Sequence, residues 1–145
     1  MSWSAPDWVK QNDKDYSELI RKKAVAVTRR DKKRDGKYRV KEAIEAIHQA
    51  FHRCNGLDPY DGSKLDPELL GEYKNDKAKA QGAAYKRRFA MLPTIDHVKA
   101  EPIPDFQIVS WQTNDAKGDM TPEEFIAYCR RVADIRLIRG DALGE

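Results

Sequence analysis

Cysteine is scarce in this chain, and the two cysteines do not form a metal-binding pair. Cys54 and Cys129 lie far apart among 145 residues, and neither belongs to a Cys-x-x-Cys motif. A structural zinc of the common knuckle type needs such pairs, so we assign no structural zinc. In a reducing compartment we expect both thiols to be small buried hydrophobes rather than a disulfide. Packing must then hold the fold together.

Long apolar runs are missing as well. No stretch approaches the roughly 18 apolar residues of a membrane span, and the polar start Met-Ser-Trp-Ser-Ala-Pro lacks the apolar core of a signal peptide. With 40% hydrophobic and 35% charged residues, the composition predicts a soluble protein with a modest core. We expect a single domain over residues 1–145, located in the cytoplasm and without a membrane partner.

Positive charge is concentrated in one segment although the net charge is only +3. Eleven Lys or Arg residues lie between Arg21 and Lys41, against only Asp31 and Asp35. Such a cluster binds nucleic-acid phosphates without reading sequence. From charge alone, a solvated helix face or a basic connector is an equal alternative. The candidate DNA contacts here are Arg29, Arg30, Lys32, Lys33 and Arg34.

Helical periodicity dominates the N-terminal part, residues 1–57. Apolar residues at three- and four-residue spacing predict a first helix over about 15–34 and a second over about 40–54. The second helix carries His48 and His52 one turn apart, with Cys54 beyond them. Two histidines on one helix more typically lie at the edge of its apolar stripe or face solvent than bind a metal. Whether they bind a metal stays open.

The middle of the chain alternates turn formers and weak helix signals. Residues 54–62 predict an ordered loop or short hairpin, and Asp66 followed by Pro67 predicts a short helix over about 65–74. Residues 74–88 are either a weak helix or a mobile arm. Three cations at the end of this segment are candidate phosphate contacts, with ordinary surface charge as the alternative: Lys86, Arg87 and Arg88.

The sequence of the C-terminal third predicts a strand, a loop, a second strand, a turn and a helix. Residues 94–98 and 106–111 are the β-prone runs, and Asn114 lies in a polar turn after them. Thr121 and Glu124 form a capping box that opens the last helix. We expect the apolar face of that helix to pack behind the strands through Phe125, Cys129 and Val132.

This order, over roughly residues 88 to 134, resembles the ββα-metal motif of HNH endonucleases. Asp96-His97 matches the pair that closes the first strand, and Asn114-Asp-Ala-Lys117-Gly118-Asp119 matches the family's Asn-x-x-Lys-Gly-Asp turn. Glu123-Glu124 matches the acidic opening of its helix. The family's middle Asn, which braces the metal loop, falls by spacing on Asp105, which accepts hydrogen bonds but cannot donate them.

The resemblance implies an α+β fold, in which N-terminal helices precede a two-stranded antiparallel hairpin packed on a C-terminal helix. It implies a metal-dependent DNA endonuclease that leaves 5′-phosphate and 3′-hydroxyl ends. Because successive strand residues point to opposite faces, Asp96 and His97 can share a site only if the strand bends or ends there.

Phosphodiester hydrolysis indicates a role for each matched residue. His97 is the expected general base, because an imidazole titrates near neutral pH. The oxygens of Asp96 and Asn114 suit one divalent ion, magnesium or alternatively manganese. Lys117 would stabilise charge or hold a neighbouring phosphate, and Lys99 is a further candidate DNA contact.

Two other functions stay open. One is a DNA-binding module on a catalytically silent HNH scaffold. The other is a structural or protein-interaction helical domain in which the Asp-His pair is accidental, which leaves the Asn-x-x-Lys-Gly-Asp turn unexplained. Target sequence, strand preference, biological role and oligomeric state are not indicated by any motif.

Overall fold

A computed structural model describes residues 2–71, 80 and 82–140. The described part is a mixture of helices and one two-stranded antiparallel sheet, so its class is α+β as predicted. In chain order the elements are α1 (Asp13–Lys32), α2 (Val40–Cys54), a 3-10 turn (Pro67–Leu69), α3 (Ala83–Arg88), β1 (Pro93–His97), β2 (Phe106–Ser110), α4 (Trp111–Lys117) and α5 (Pro122–Arg139).

The main core forms between α1 and α2. Asn12 caps α1 by accepting the Asp15 N–H at 2.8 Å, so the helix begins two residues earlier than its apolar stripe predicted. It ends at Lys32, and Gly36 closes the turn so tightly that a Cβ there would lie 2.8 Å from the Asp31 carbonyl oxygen. The predicted bounds of α2 are confirmed. The two helices bury Tyr16, Ile20, Ala24, Val27, Ala43, Ile47, Ala50 and Phe51.

The hairpin lies against α2. Strands β1 and β2 pair with Ile95 opposite Ile108, and Phe106 and Ile108 of β2 belong to the same buried cluster as the helices. Arg53 of α2 donates from Nη2 to the Phe106 carbonyl at 2.8 Å. Strand β1, which carries the Asp-His pair, is therefore held by this helix indirectly, through its pairing with β2.

The segment between α2 and β1 is an ordered loop followed by a second small cluster. The buried Asp58 carboxylate accepts the N–H of Tyr60 at 2.7 Å and that of Ser110 at 2.8 Å, which ties the loop to the end of β2. Of the helix predicted over 65–74, only the 3-10 turn forms in the described part. The end of that predicted helix, and much of the weak helix or mobile arm predicted over 74–88, fall on residues 72–79 and 81, which lie outside the described residues. Helix α3 buries Tyr85 against Leu69, Phe89 and Leu92.

The region after β2 corrects the predicted order of elements. Asn114 lies in helix α4 rather than in a turn, because the Ser110 hydroxyl accepts the Thr113 N–H at 3.0 Å and caps a helix directly after the strand. Helix α4 packs on both strands. The chain then reverses at Gly118, whose φ of 57° favours glycine.

Helix α5 begins with the predicted capping box but does not pack as predicted. The Thr121 hydroxyl accepts the Glu124 N–H at 3.2 Å, and the Glu124 carboxylate accepts the Thr121 N–H at 2.8 Å. Only Phe125 of this helix is buried, whereas Cys129 is exposed and Val132 is 46% exposed. The prediction that α5 packs behind the strands is wrong, because α4 follows β2 immediately and packs there instead.

In the described part of the chain, no helix combines the length and apolar character needed to cross a bilayer.

Candidate active site

An open cleft of about 340 Å³ lies where the end of α1, the end of β1 and helix α4 meet. Larger hollows of about 650 Å³ exist elsewhere, but neither contains the Asp-His pair. Asp96 and His97, the last two residues of β1, both line this cleft. Its lining consists of Arg30, Asp31, Arg34, Ile95, Asp96, His97, Ala100, Asn114, Gly118 and Asp119.

Asp96 forms a buried ion pair with Lys117. The Lys117 ammonium lies 3.0 Å from Asp96 Oδ2 and donates to the His97 carbonyl at 3.3 Å. The same Asp96 oxygen accepts the Gln107 side-chain N–H at 2.9 Å. Lys117 is only 1% exposed, which argues against its predicted contact with a DNA phosphate. Its charge acts inside the protein, on the carboxylate that borders the cleft.

His97 is held by a carboxylate that no motif in the sequence assigned to the site. Its Nε2 lies 2.6 Å from Oδ2 of Asp31, a buried residue of α1, and the Tyr38 hydroxyl donates to that same oxygen. Burial raises the pKa of Tyr38, and its hydrogen bond to Asp31 raises it further, so the phenol stays a donor. A carboxylate on Nε2 favours the imidazole with its proton on that nitrogen, which leaves Nδ1 to accept a proton.

One signal in the sequence could have identified Asp31. The residue continues the buried stripe of α1, four positions after Val27, although it is charged. A carboxylate on the apolar face of a helix is costly to bury unless a partner compensates it. The position of Asp31 therefore predicted a hydrogen-bond partner for its carboxylate. In the structure the partners are His97 and Tyr38.

Asn114 faces the same cleft from α4. Its side-chain nitrogen donates to Thr94 Oγ1 at 3.1 Å and to the Ile95 carbonyl at 3.4 Å. These bonds hold the amide against the backbone of β1. Because the nitrogen is engaged by the protein, the carbonyl oxygen is the atom left for a ligand.

The donor atoms at the cleft are oxygens, the kind of ligand that a hard divalent ion prefers. Within the described ranges, no hydrogen bond engages Oδ1 of Asp96 or Oδ1 of Asn114. Two oxygen ligands suit magnesium or manganese, which keep several waters, better than zinc, which prefers nitrogen and sulfur. No group of three or more His, Cys, Asp or Glu residues that could hold a metal occurs among the residues described. The site would thus be sparse in protein ligands.

The predicted DNA contacts separate into two groups in space. Arg30 and Arg34 line the cleft, and Arg34 donates from Nη2 to the Ala100 carbonyl at 2.6 Å, joining α1 to the loop after β1. Exposed cations on the same helix end and in that loop are Arg29, Lys32, Lys33 and Lys99. In contrast, Lys86 and Arg87 of α3 line a different hollow beside Trp111, and Arg88 lies over the Phe89 ring. The cations of α3 therefore do not line the cleft that contains His97.

Asp105 does not brace the cleft through its side chain. The residue is exposed and borders a separate hollow, while its backbone carbonyl accepts the Val98 N–H at 3.0 Å. The backbone thus joins the two strands at this point. A bracing role for the Asp105 carboxylate is not supported by this position.

The histidines of α2 have protein partners of their own. His48 Nδ1 lies 2.8 Å from the Tyr16 hydroxyl, and His52 Nε2 lies 2.8 Å from the Ser4 carbonyl. Burial lowers the pKa of His48, and the neighbouring His52 lowers it further.

Cys54 is half-buried and donates to the Phe51 carbonyl, whereas Cys129 is exposed, so the prediction of two buried thiols is wrong for Cys129.

No family model matches the chain, and neither a curated protein nor a solved structure matches it.

Proposed function

We propose that this protein is a metal-dependent DNA endonuclease of the HNH type. The observation that supports it is the convergence of Asp96, His97 and Asn114 on one cleft, directly beside Arg30 and Arg34 at the basic end of α1. Hydrolysis of a phosphodiester requires a base for the attacking water and positive charge for the phosphate. His97 could serve as the base, and Arg30 and Arg34 carry positive charge at the same cleft.

In this proposal His97 takes a proton from the attacking water through Nδ1. Asp31, 2.6 Å from Nε2, then stabilises the imidazolium that forms, and Tyr38 keeps the carboxylate in place. Asp31 is a positioning residue here, because it acts only through His97. The base is thus oriented by a helix that is distant in sequence.

Asp96 and Asn114 would hold the divalent ion through their free oxygens. The ion supplies charge that stabilises the phosphate and the leaving 3′ oxygen. Lys117 and Gln107 both bind Oδ2 of Asp96 and hold the carboxylate in place, so Oδ1 is the oxygen left for the ion. Such bonds behind a metal ligand orient it.

A second candidate function is DNA binding without cleavage. The ion pairs Asp96–Lys117 and His97–Asp31 would also form in a purely structural network. On such a silent scaffold the basic end of α1 would still attract phosphates. The two functions differ in whether a phosphodiester bond is broken.

Incubation with supercoiled plasmid tests the proposal. With magnesium or manganese we expect nicked or linear DNA carrying 5′-phosphate ends, because the ion completes the site. Chelator should stop the reaction, and Asn114→Ala should be inactive because it removes one of two protein oxygens. Plasmid binding without cleavage under every metal condition would support the silent scaffold, and cleavage by Asn114→Ala would remove that residue from the site.

The basic end of α1 gives a separate prediction for DNA affinity. Replacing Arg29, Arg30, Lys32 and Lys33 with Gln should weaken binding similarly for all sequences, because bonds to phosphates carry no base information. The slope of log affinity against log salt should become shallower by about 0.9 for each DNA phosphate that the variant no longer neutralises. Fluorescence anisotropy over a salt series measures both quantities.

The matched control replaces Arg21 and Lys22, which are exposed on the same helix but lie roughly 10 Å or more from these positions along its axis. We expect a smaller change in slope for each charge removed. Arg34 is left intact in both variants because it bonds to the Ala100 carbonyl. Equal effects per charge in the two variants would show that no special DNA contact exists at the end of α1.

A further inference from the structure

The turn-rich loop over residues 54–62 reaches the candidate active site through Tyr60. Strands β1 and β2 place Gln107 directly opposite Asp96, so the two side chains lie on the same face of the sheet. The side-chain nitrogen of Gln107 donates to Asp96 Oδ2 at 2.9 Å and to the Tyr60 hydroxyl oxygen at 2.8 Å. Tyr60 is therefore two hydrogen bonds away from Asp96.

Asp96 decides which way the Gln107 amide faces. An ionised carboxylate accepts hydrogen bonds and cannot donate one, so the amide nitrogen rather than the amide oxygen must face it. The second N–H of that nitrogen is the one that Tyr60 accepts. Loss of the Tyr60 hydroxyl would remove one of the two hydrogen bonds that this nitrogen donates, and with it a restraint on the amide beside Asp96.

Tyr60 is itself held in place by the protein. Its ring meets the ring of Phe125 edge to face with the centroids 5.3 Å apart, and its backbone N–H donates to Asp58 Oδ1 at 2.7 Å. Asp58 is only 1% exposed, and its other oxygen accepts the Ser110 N–H at 2.8 Å. Ser110 in turn caps α4, the helix that carries Asn114. One buried carboxylate thus fixes both Tyr60 and the start of α4.

We propose that Tyr60 is a positioning residue for Asp96 and acts through Gln107. The inference rests on the proposed function, in which Asp96 binds a divalent ion through Oδ1. Hydrogen bonds to a ligating carboxylate orient it for the ion, so a loosened Gln107 amide weakens the binding of that ion. The loop over residues 54–62 supplies the brace that the spacing of the sequence had assigned to Asp105.

A titration of the full chain with Mn²⁺ in the absence of DNA, followed by the EPR signal of the free ion, tests the inference. Gln107→Leu should raise the Kd for Mn²⁺ at least about tenfold, the usual effect of removing a partner of a metal ligand. Tyr60→Phe keeps the ring against Phe125 and should raise the Kd about two- to tenfold, the equivalent of one hydrogen bond. The matched control is Tyr128→Phe, which removes the hydroxyl of a tyrosine that is 48% exposed on α5 and should leave the Kd unchanged.

The double variant Tyr60→Phe with Gln107→Leu separates positioning from a general loss of structure. Because Tyr60 acts only through Gln107, the double variant should bind Mn²⁺ no more weakly than Gln107→Leu alone. The Mn²⁺ concentration that gives half-maximal plasmid cleavage should follow the same order. Saturating Mn²⁺ should recover most of the lost rate in Tyr60→Phe, because its defect lies in binding the ion. Circular dichroism checks that all variants keep their helix content.

The outcomes distinguish this inference from the proposed function. An unchanged Kd in Tyr60→Phe, or losses that multiply in the double variant, would overturn the role of Tyr60 and leave the metal site standing. A wild-type chain that neither binds Mn²⁺ nor cleaves plasmid would overturn both. A chain that binds Mn²⁺ without cleaving would refute the nuclease, while the order of the Kd values would still decide the role of Tyr60.

Discussion

Replacing His97 with alanine is expected to lower the rate of plasmid cleavage by at least roughly 10²–10⁴-fold, the usual contribution of a positioned base. DNA affinity should change little, because Arg30 and Arg34 are untouched. Metal affinity should also persist, because Asp96 and Asn114 keep their oxygens. Single-turnover kinetics at saturating protein separates this loss of rate from any loss of binding.

His97→Gln is the control for a merely structural role. A glutamine amide can still donate to Asp31, which accepts from His97 at 2.6 Å, but it cannot take up a proton at neutral pH. Both variants should therefore lose cleavage to a similar extent. If glutamine restores wild-type cleavage, His97 serves the packing of β1 on α1 and is not the base.

Replacing Asp96 with asparagine is expected to reduce both stability and cleavage. The Lys117 side chain is fully buried and its ammonium lies 3.0 Å from Asp96 Oδ2, so the substitution leaves a buried charge without its partner. Breaking such a pair typically costs about 3–5 kcal/mol of folding free energy. Urea unfolding followed by circular dichroism measures the loss.

Lys117→Met in the Asp96→Asn background separates the two losses. Methionine removes the unpaired charge while filling a similar volume, so most of the stability should return. Cleavage should not return, because the ion still lacks the Asp96 carboxylate. An active double variant would show that the negative charge of Asp96 is not needed for cleavage, whereas a single Asp96→Asn variant of wild-type stability would show that the ion pair contributes nothing to folding.

Several elements of the fold were predictable because their signals are local. The bounds of α2 follow from its apolar periodicity, and the start of α5 follows from the Thr121 and Glu124 capping box. The antiparallel strands follow from their β-prone runs. The position of Asn114 was not predictable in this way, because a run of polar residues is typical of a turn. The Ser110 cap and the packing of α4 on the strands made it a helix.

By itself, the sequence determined the local elements and the chemical groups: the Asp-His pair at a strand end, an asparagine and a lysine after the second strand, and a basic helix. Only the tertiary structure decided which groups meet. It joined His97 to Asp31 across 66 positions of sequence, and it buried Lys117 against Asp96 instead of exposing it to a ligand. The physical reason is that periodicity and capping act within a few residues. Pairing of buried charges depends instead on which surfaces of distant elements pack together.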